Sequence, residues 1–395
     1  MERVKCVICF FIVISAVEGW EKIYDADGDL PLNDFVEKLG FDGIESYYTT
    51  TEDGYIINIE RIKRKGSEKM MPVIITHGMT ACANTYFVNK NQSIPIVLAN
   101  HNYDVWLLNA RGTRKSSRHV TWNSTTDREF WMFSWQEIGL IDLPAAIDLV
   151  LEHNNHKKVI LVGHSEGSTV IFVTLSDVPE YNEKVALSVH LGVSVYHKGC
   201  ATIQLVTVIC SMEPYLARLF DYMEWFAIFP SDHLRNVVRD LCRYTIFQGM
   251  CKEVGKILTH SDEEIEHWKD WSILGTYEMC GGSMREAYHY MQVSNSGRFA
   301  RYDYGNRKNL EIYNSTEPTL FHLENVKSPV VLWCGDKDML CTKSDLDKLT
   351  PQLTNIESTE FKGKSVFSHD EYVIGHNLDE KIYRDLFEIL KKYTD

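Results

Sequence analysis

Four short runs rich in β-branched residues stand out along the chain, at 73–76, 105–108, 159–162 and 330–333. Each is almost continuously apolar, and most are bounded by Gly, Asn or Pro. That is how a strand buried on both faces of a parallel sheet reads. Before the third run the period changes. Leu143, Ile147, Val150 and Leu151 share one face of a predicted helix, with Asp142 as its cap and Pro144 in its first turn. Strand and helix alternate from about 70 to 180, which predicts βαβ units around a parallel sheet. From about 185 to 310 the alternation is lost, and the stretch 212–229 is crowded with aromatic residues and Met. An ordinary core helix accounts for that composition. A helical insertion covering an apolar pocket is the sharper reading. After about 325 the sheet pattern resumes, ending in a short strand at 359–361. The expected division is therefore a leader at 1–19, a first core part at 20–184, a helical cap and lid at 185–310, and a second core part at 311–395.

The leader is a pattern of its own. Arg3 and Lys5 precede an apolar stretch at 7–17, and small residues follow at Ala16 and Gly19, as in a secretory signal cleaved before Trp20. The stretch is too short to span a bilayer, and no later stretch reaches about 18 uninterrupted apolar residues, so no transmembrane segment is expected. Three Asn-x-Ser/Thr sequons, at Asn91, Asn123 and Asn314, agree with a glycoprotein of the secretory route, secreted or lysosomal. Loss of Cys6 and Cys9 with the leader would reduce the ten cysteines to eight, an even number suited to an oxidising compartment. Across 395 residues the formal charge is −14, which argues against a nucleic-acid partner and against attraction to anionic membranes.

The strongest chemical signal is Gly163-His164-Ser165-Glu166-Gly167, placed between the predicted strand 159–162 and a helix-like run at 169–175. A nucleophilic serine on a sharp strand-to-helix turn requires this context, with nearly bare residues two positions away on each side. The hydroxyl needs a base, and the base needs an acid, in the chain order Ser, Asp, His. Past the strand 330–333, Asp336 and Asp338 both stand where the acid belongs. Near the C-terminus, His369 and His376 are candidate bases, and order and distance favour His369. A tetrahedral oxyanion needs two N–H donors. The residue after the nucleophile, Glu166, supplies one. The loop His77-Gly78-Met79, directly after the first strand, supplies the other through Met79. Gly363-Lys364-Ser365 lacks the upstream glycine of a phosphate-binding loop, and there is no HExxH. His260, Glu264 and His267 fit a solvated, charged helix better than a metal site. No cofactor and no metal are expected.

Longer strings then carry a resemblance. TEDGYI at 51–56 with Arg61-Ile62, NYDVWLLNARG at 102–112, SRH at 117–119, Phe130-Trp131, FSW at 133–135, DLPAAID at 142–148, SGRF at 296–299 and YDYG at 302–305 resemble the acid lipases. That family includes lysosomal acid lipase, gastric lipase and insect lipase-3-like enzymes, and the likeness runs from about Asp34 to the C-terminus. It implies an α/β-hydrolase, with a mostly parallel central sheet and an inserted helical cap and lid. It implies Ser165 as nucleophile, Asp338 as acid (ending a G-x-x-D turn from Gly335) and His369 as base, with Met79 and Glu166 as oxyanion donors. It also implies a cap disulfide between Cys242 and Cys251, worth roughly 2–3 kcal/mol in the chain-entropy model.

Two departures stand out. The family usually has Gln where this chain has Glu166, and its N-H-x-D is Ser368-His369-Asp370-Glu371 here. The expected function is hydrolysis of carboxylic esters of neutral lipids, triacylglycerol or cholesteryl ester, through an acyl-enzyme on Ser165. The partner would be the lipid or a lipid–water interface. An intact Ser, Asp and His set argues against a non-catalytic lipid carrier, and a large apolar cap argues against a peptidase or small-ester hydrolase.

Overall fold

The computed structural model of the protein describes residues 31–197, 204–228, 241, 280–362, 367–375 and 377–394. The leader at 1–19, Cys242, Cys251, His376 and the group at 260–267 lie outside these residues.

Among the described residues a nine-stranded sheet forms the centre of the molecule. Its strands are β1 Ile44–Thr50, β2 Tyr55–Ile62, β3 Pro72–Thr76, β4 Asp104–Asn109, β5 Arg118–His119, β6 Val159–His164, β7 Val185–Leu191, and, after a small two-stranded ladder of β8 Ala227–Ile228 with β9 Gly282–Ser283, β10 Val330–Gly335 and β11 Ile356–Lys362. The order is β1-β2-β4-β3-β6-β7-β10-β11, with β5 on β2. Pairing is antiparallel from β1 to β4 and parallel from β4 to β11. The four apolar runs of the sequence are β3, β4, β6 and β10, buried at every position. Alternate residues divide between two cores, one on each face of the sheet. Val73, Ile75, Val105, Leu107, Ile160 and Val162 face helices Leu32–Lys38, Ile94–Asn100 and Arg384–Leu390. Ile74, Trp106, Leu108, Val159 and Leu161 face helices Leu143–Glu152 and Glu166–Asp177.

Two sequence expectations change. Residues 185–191 do not open the insertion. They form β7, between β6 and β10, so the first core part runs at least to Leu191. The strand escapes a search for continuous apolar runs because Ser188 and His190 interrupt it. Both are buried, and His190 bonds the hydroxyls of Ser168 (2.9 Å) and Ser188 (3.0 Å). Nor is Asp142 a helix cap. The helical run begins at Trp135, capped by Ser134, whose N–H donates to Glu137 Oε2 at 2.7 Å in a capping box. It passes through a π turn, Ile138–Asp142, into Leu143–Glu152.

Asp142 is helical because its buried carboxylate has another task. It accepts the backbone N–H of Arg111 (3.0 Å) and the guanidinium Nε (2.9 Å) and Nη2 (2.6 Å). Arg111 also donates to Asp53 (2.6 and 3.1 Å) and lies 4.0 Å over the Tyr55 ring. This cluster pins the turn after β4 to the helix on one face of the sheet.

Between β7 and β10 the described chain is mainly helical, with Gln204–Ser211, Glu213–Tyr222, Met284–Ser296 and Asn306–Tyr313. Helix Met284–Ser296 is seated on the core. His289 stacks on Trp135 at 3.6 Å between ring centroids and bonds Ser134 Oγ (3.0 Å) and the Ala300 carbonyl (2.9 Å). A Cys82–Cys280 disulfide joins the insertion, just before β9, to the loop after β3, where the Cys280 N–H also donates to the Thr80 carbonyl at 2.8 Å.

Replacing Asp142 by Ala leaves a buried guanidinium short of one counter-charge. A loss of about 3–5 kcal/mol is expected, read from urea unfolding. A loss below about 1 kcal/mol would mean that Asp53 alone suffices.

Candidate active site

Strand β6 runs straight into helix Glu166–Asp177, and Ser165 makes the turn with φ 54° and ψ −118°. For a non-glycine residue this left-handed conformation costs on the order of 1–3 kcal/mol. Neighbours hold it there: the Ser165 N–H donates to the Leu191 carbonyl (3.0 Å), and the Ser165 carbonyl accepts from Ser168 (2.9 Å). The flanking glycines permit the close approach. A Cβ on Gly167 would lie 2.2 Å from the Thr76 carbonyl oxygen, and one on Gly163 would lie 2.6 Å from the Gly167 carbonyl carbon. Any larger residue at either place would push the helix off the sheet.

Because β3 pairs with β6 so that Thr76 faces Gly163, the loop after β3 reaches the elbow. Gly78 is close enough that a Cβ there would stand 3.2 Å from the Ser165 Cβ. His77 braces the loop. Its Nδ1–H donates to the Gly78 carbonyl (2.8 Å), and its Nε2 accepts the Ala110 N–H (3.1 Å). Burial lowers its pKa to about 4, which keeps it neutral. Met79 follows in this loop. Glu166 opens the helix, so its N–H is one of the first-turn amides without an intrahelical partner.

The other two residues arrive from β10 and the C-terminal segment. Asp338 and His369 are both buried, and His369 Nδ1 donates to Asp338 Oδ2 at 2.8 Å. Asp338 Oδ1 accepts the N–H groups of Leu340 and Cys341, each at 2.8 Å. Asp336 does something else: its Oδ1 accepts the Phe367 N–H at 2.7 Å, tying the acid loop to the histidine loop. The structure thus brings Asp338, not Asp336, to His369. A second tie runs from the Lys337 N–H to the Phe367 carbonyl (3.0 Å). Glu371, the third residue after Ser368, accepts the Ser368 N–H. His164, next to Ser165, donates from Nε2 to the His369 carbonyl (2.9 Å). Gly192, at φ +62°, leaves room for the imidazole, since a Cβ there would sit 3.0 Å from His369 Nδ1. His369 Nε2 is buried and has no hydrogen-bond partner among the described residues. That nitrogen is free to take a proton.

The electrostatics follow from burial. Burial opposes the charged imidazole of His369, but the charge and hydrogen bond of Asp338 outweigh it, with help from Asp370, and raise its pKa. His164, without such a partner, falls to about 3, chiefly through burial and then through the His369 charge. His164, His369 and Asp370 have ligand atoms within 4.8 Å of one another. Yet His164 Nε2 and His369 Nδ1 already carry hydrogen bonds, and a cation there would compete for the nitrogen that must move a proton.

His77 and Glu371 were named from the sequence only as parts of their motifs, and neither Gly192 nor a disulfide joining Cys334 to Cys341 was singled out. Only the last left a readable mark, a cysteine on each side of the candidate acid. The sequons Asn91, Asn123 and Asn314 are all exposed.

The comparisons with known proteins agree with this geometry. Residues 71–197 match the family model for the alpha/beta hydrolase fold, and residues 32–90 match the partial alpha/beta-hydrolase lipase region. Lipase 1 of Drosophila melanogaster is 32% identical over 376 residues, covering 93% of this chain and 81% of that protein. Lipase member K of Mus musculus is 27% identical, covering 97% of each chain. Human lysosomal acid lipase/cholesteryl ester hydrolase is 26% identical, covering 99% of this chain and 98% of that one. Among solved structures, the alpha/beta hydrolase GrgF from Penicillium sp. sh18 superposes with a TM-score of 0.51 at 13% identity, over 89% of this chain and 99% of that one. The molecule is an α/β-hydrolase, and within that class a carboxylic ester hydrolase. The chain belongs to the acid lipase family.

Glu166 differs from the family's usual Gln, and its buried side chain lines a small cavity with Thr76, His77, Leu108 and Ile138. Its Oε2 has no hydrogen-bond partner among the described residues, and burial lifts its pKa to about 8. Burial and the Glu166 charge together push the buried Glu286 well above its ordinary value. A carboxyl raised in the folded state favours folding most at low pH. That contribution fades from the unfolded value, near 4.5, up to about 8. Glu166→Gln should therefore flatten the stability profile. The stability difference between variant and parent should move in favour of Gln by roughly 1–3 kcal/mol between about pH 5 and pH 8, measured by urea unfolding. Parallel profiles would show that Glu166 does not titrate in this range.

Proposed function

We propose that this enzyme hydrolyses the esters of neutral lipids, triacylglycerol or cholesteryl ester, through an acyl-enzyme on Ser165. The observation that carries the reading is the buried Asp338–His369 pair with a bare Nε2, set beside a serine held in the strained elbow. In this mechanism His369 Nε2 removes the Ser165 proton as Oγ attacks the ester carbonyl. The N–H groups of Met79 and Glu166 receive the developing oxyanion. His369 then protonates the departing alcohol, and the acyl group stays on Ser165. Water, deprotonated by the same nitrogen, releases the fatty acid. Asp338 fixes the imidazole tautomer and stabilises the imidazolium.

The named relatives support a lipid substrate. So does the insertion, read as a cap from the end of β7 to 310, with the second core part at 311–395. Its helices Gln204–Ser211 and Glu213–Tyr222, with the turns after them, expose Met212, Tyr215, Leu219, Tyr222 and Trp225, an apolar surface suited to a lipid–water interface. No described helix is long and apolar enough to cross a membrane. A cleaved leader at 1–19, glycans on the three exposed sequons and passage through the secretory route complete the reading.

The test is hydrolysis of triolein and cholesteryl oleate emulsions, with a short-chain ester for comparison, across acid to alkaline pH. Ser165→Ala should lose activity by about 10⁴-fold or more. The parent should lose kcat/KM as pH falls through the raised His369 pKa, above the ordinary histidine value. Retained activity in Ser165→Ala would overturn the catalytic assignment. A preference for short esters over both emulsions would overturn the substrate.

A further inference from the structure

We propose that the Cys334–Cys341 disulfide is a positioning element of the catalytic machinery, clamping the loop that presents Asp338 to His369. This rests on the assignment of Asp338 as the acid.

Cys334 lies within β10, Cys341 precedes the helix Lys343–Leu349, and both are fully buried. The bond spans a sequence separation of 7 and closes the loop at its two ends, with Asp338 between them. The helix end is itself fixed, since Thr342 caps it and donates from Oγ1 to Asp345 Oδ2 at 2.6 Å. Within the loop the Asp338 N–H donates to the Gly335 carbonyl at 3.2 Å, a weak turn bond. The carboxylate depends on the far end. Its Oδ1 accepts from Leu340 and from Cys341, the bridged residue itself. Those two bonds fix the carboxylate's rotation, and the rotation aims Oδ2 at His369 Nδ1.

Beyond Lys337 the turn between strand and helix is held chiefly by the two amide bonds to Asp338 Oδ1, and without the bridge it would sample other arrangements. An acid that strays by about 1 Å loses its hydrogen bond to the imidazole, and misplacement on that scale can cost about 100-fold in rate. The clamp removes those alternatives by restricting the Cys341 amide relative to β10. Asp336 and Lys337 brace the opposite side of the loop against Phe367, so only the Cys341 side depends on the bridge.

The test removes both cysteines together, as Cys334→Ala/Cys341→Ala, which leaves no stray thiol. The readouts are kcat, KM and the pH dependence of kcat/KM on a soluble ester. The groups facing His369 are Asp338, Asp370, His164 and His197, and only the first is released by the variant. Expected are a fall in kcat of about tenfold to a hundredfold, little change in KM, and an acid limb moved to lower pH. A merely structural bridge would lower the active fraction and leave the limb in place. Should the variant fail to fold, the native protein is reduced mildly, with alkylation at Cys334 and Cys341 followed by mass spectrometry against Cys82 and Cys280, and the same readouts are taken. Parental kcat and an unmoved limb with this bridge open would overturn the proposal. Activity surviving Ser165→Ala would overturn the catalytic reading beneath it, a separate result.

Discussion

The contact between Gly167 and the Thr76 carbonyl, closer than any side chain allows, sets the geometry on which the rest depends. It lets helix Glu166–Asp177 start immediately after β6 and pack against the end of β3. The positive φ of Ser165 follows from that turn and costs little beside the packing that enforces it, because Ile171, Phe172 and Val173 of the helix are wholly buried. From there the parallel register does the placing. Thr76 pairs with Gly163, His164 with Leu191, and Leu191 with Trp333, so the carboxyl ends of β3, β6, β7 and β10 lie side by side. Loops from such ends are where an open parallel sheet gathers its chemistry. The loop carrying Met79, the elbow, Gly192 and the loop carrying Asp338 come from these four ends in turn.

Burial then decides which of the gathered groups carry charge. Four histidines lie buried on or close to these strands, and their fates diverge. His77, His164 and His190 are held neutral by desolvation, with both ring nitrogens of His77 and His190 and Nε2 of His164 spent on hydrogen bonds. His369 alone among these four meets a buried carboxylate, and its pKa moves the other way. Three of the rings brace the structure, while the fourth is equipped to gain and lose a proton. The same desolvation that neutralises the supporting rings strengthens the Asp338–His369 pair, since charges interact more strongly away from water.

Where one residue's local role matched its sequence neighbourhood, the sequence was legible. Strands β3, β4, β6 and β10 are apolar at nearly every position because both faces are covered, and G-x-S-x-G stands where sterics demand glycine. Strand β7 was hidden because its polar residues are satisfied inside the fold, Ser188 by its strand neighbour His190 and His190 by Ser168 of the preceding helix. Asp142 was misread for the same reason: before Leu143-Pro144 an aspartate looks like a cap, and only the fold reveals Arg111 beside it. The actual start, Ser134-Trp135-Gln136-Glu137, carried a capping box in plain sight. Composition separated Asp336 from Asp338 no better. Both follow the same strand, and what distinguishes them is that one meets the imidazole and the other a backbone amide.

The two disulfides among the described residues sit on two of the loops the proposed chemistry depends on. Loops are the mobile parts of a fold, yet a catalytic constellation must hold to about 0.5 Å. In the loop after β3, Cys82 is tied to Cys280 within the insertion, so the loop carrying the proposed oxyanion donor Met79 is anchored to the part of the chain proposed to cover the substrate. In the loop after β10, the bridge encloses the acid. The Cys334–Cys341 bridge is itself part of the apolar core on one face of the sheet, while Cys82–Cys280 lies outside both core clusters. Covalent reinforcement of loops, the segments that packing defines least, adds here to the hydrogen bonds that tie them to Phe367 and Cys280. The elbow needs no such help. Close packing and two backbone hydrogen bonds define Ser165, whereas the proposed donor and the proposed acid stand on loops, where a cross-link has conformational freedom to remove.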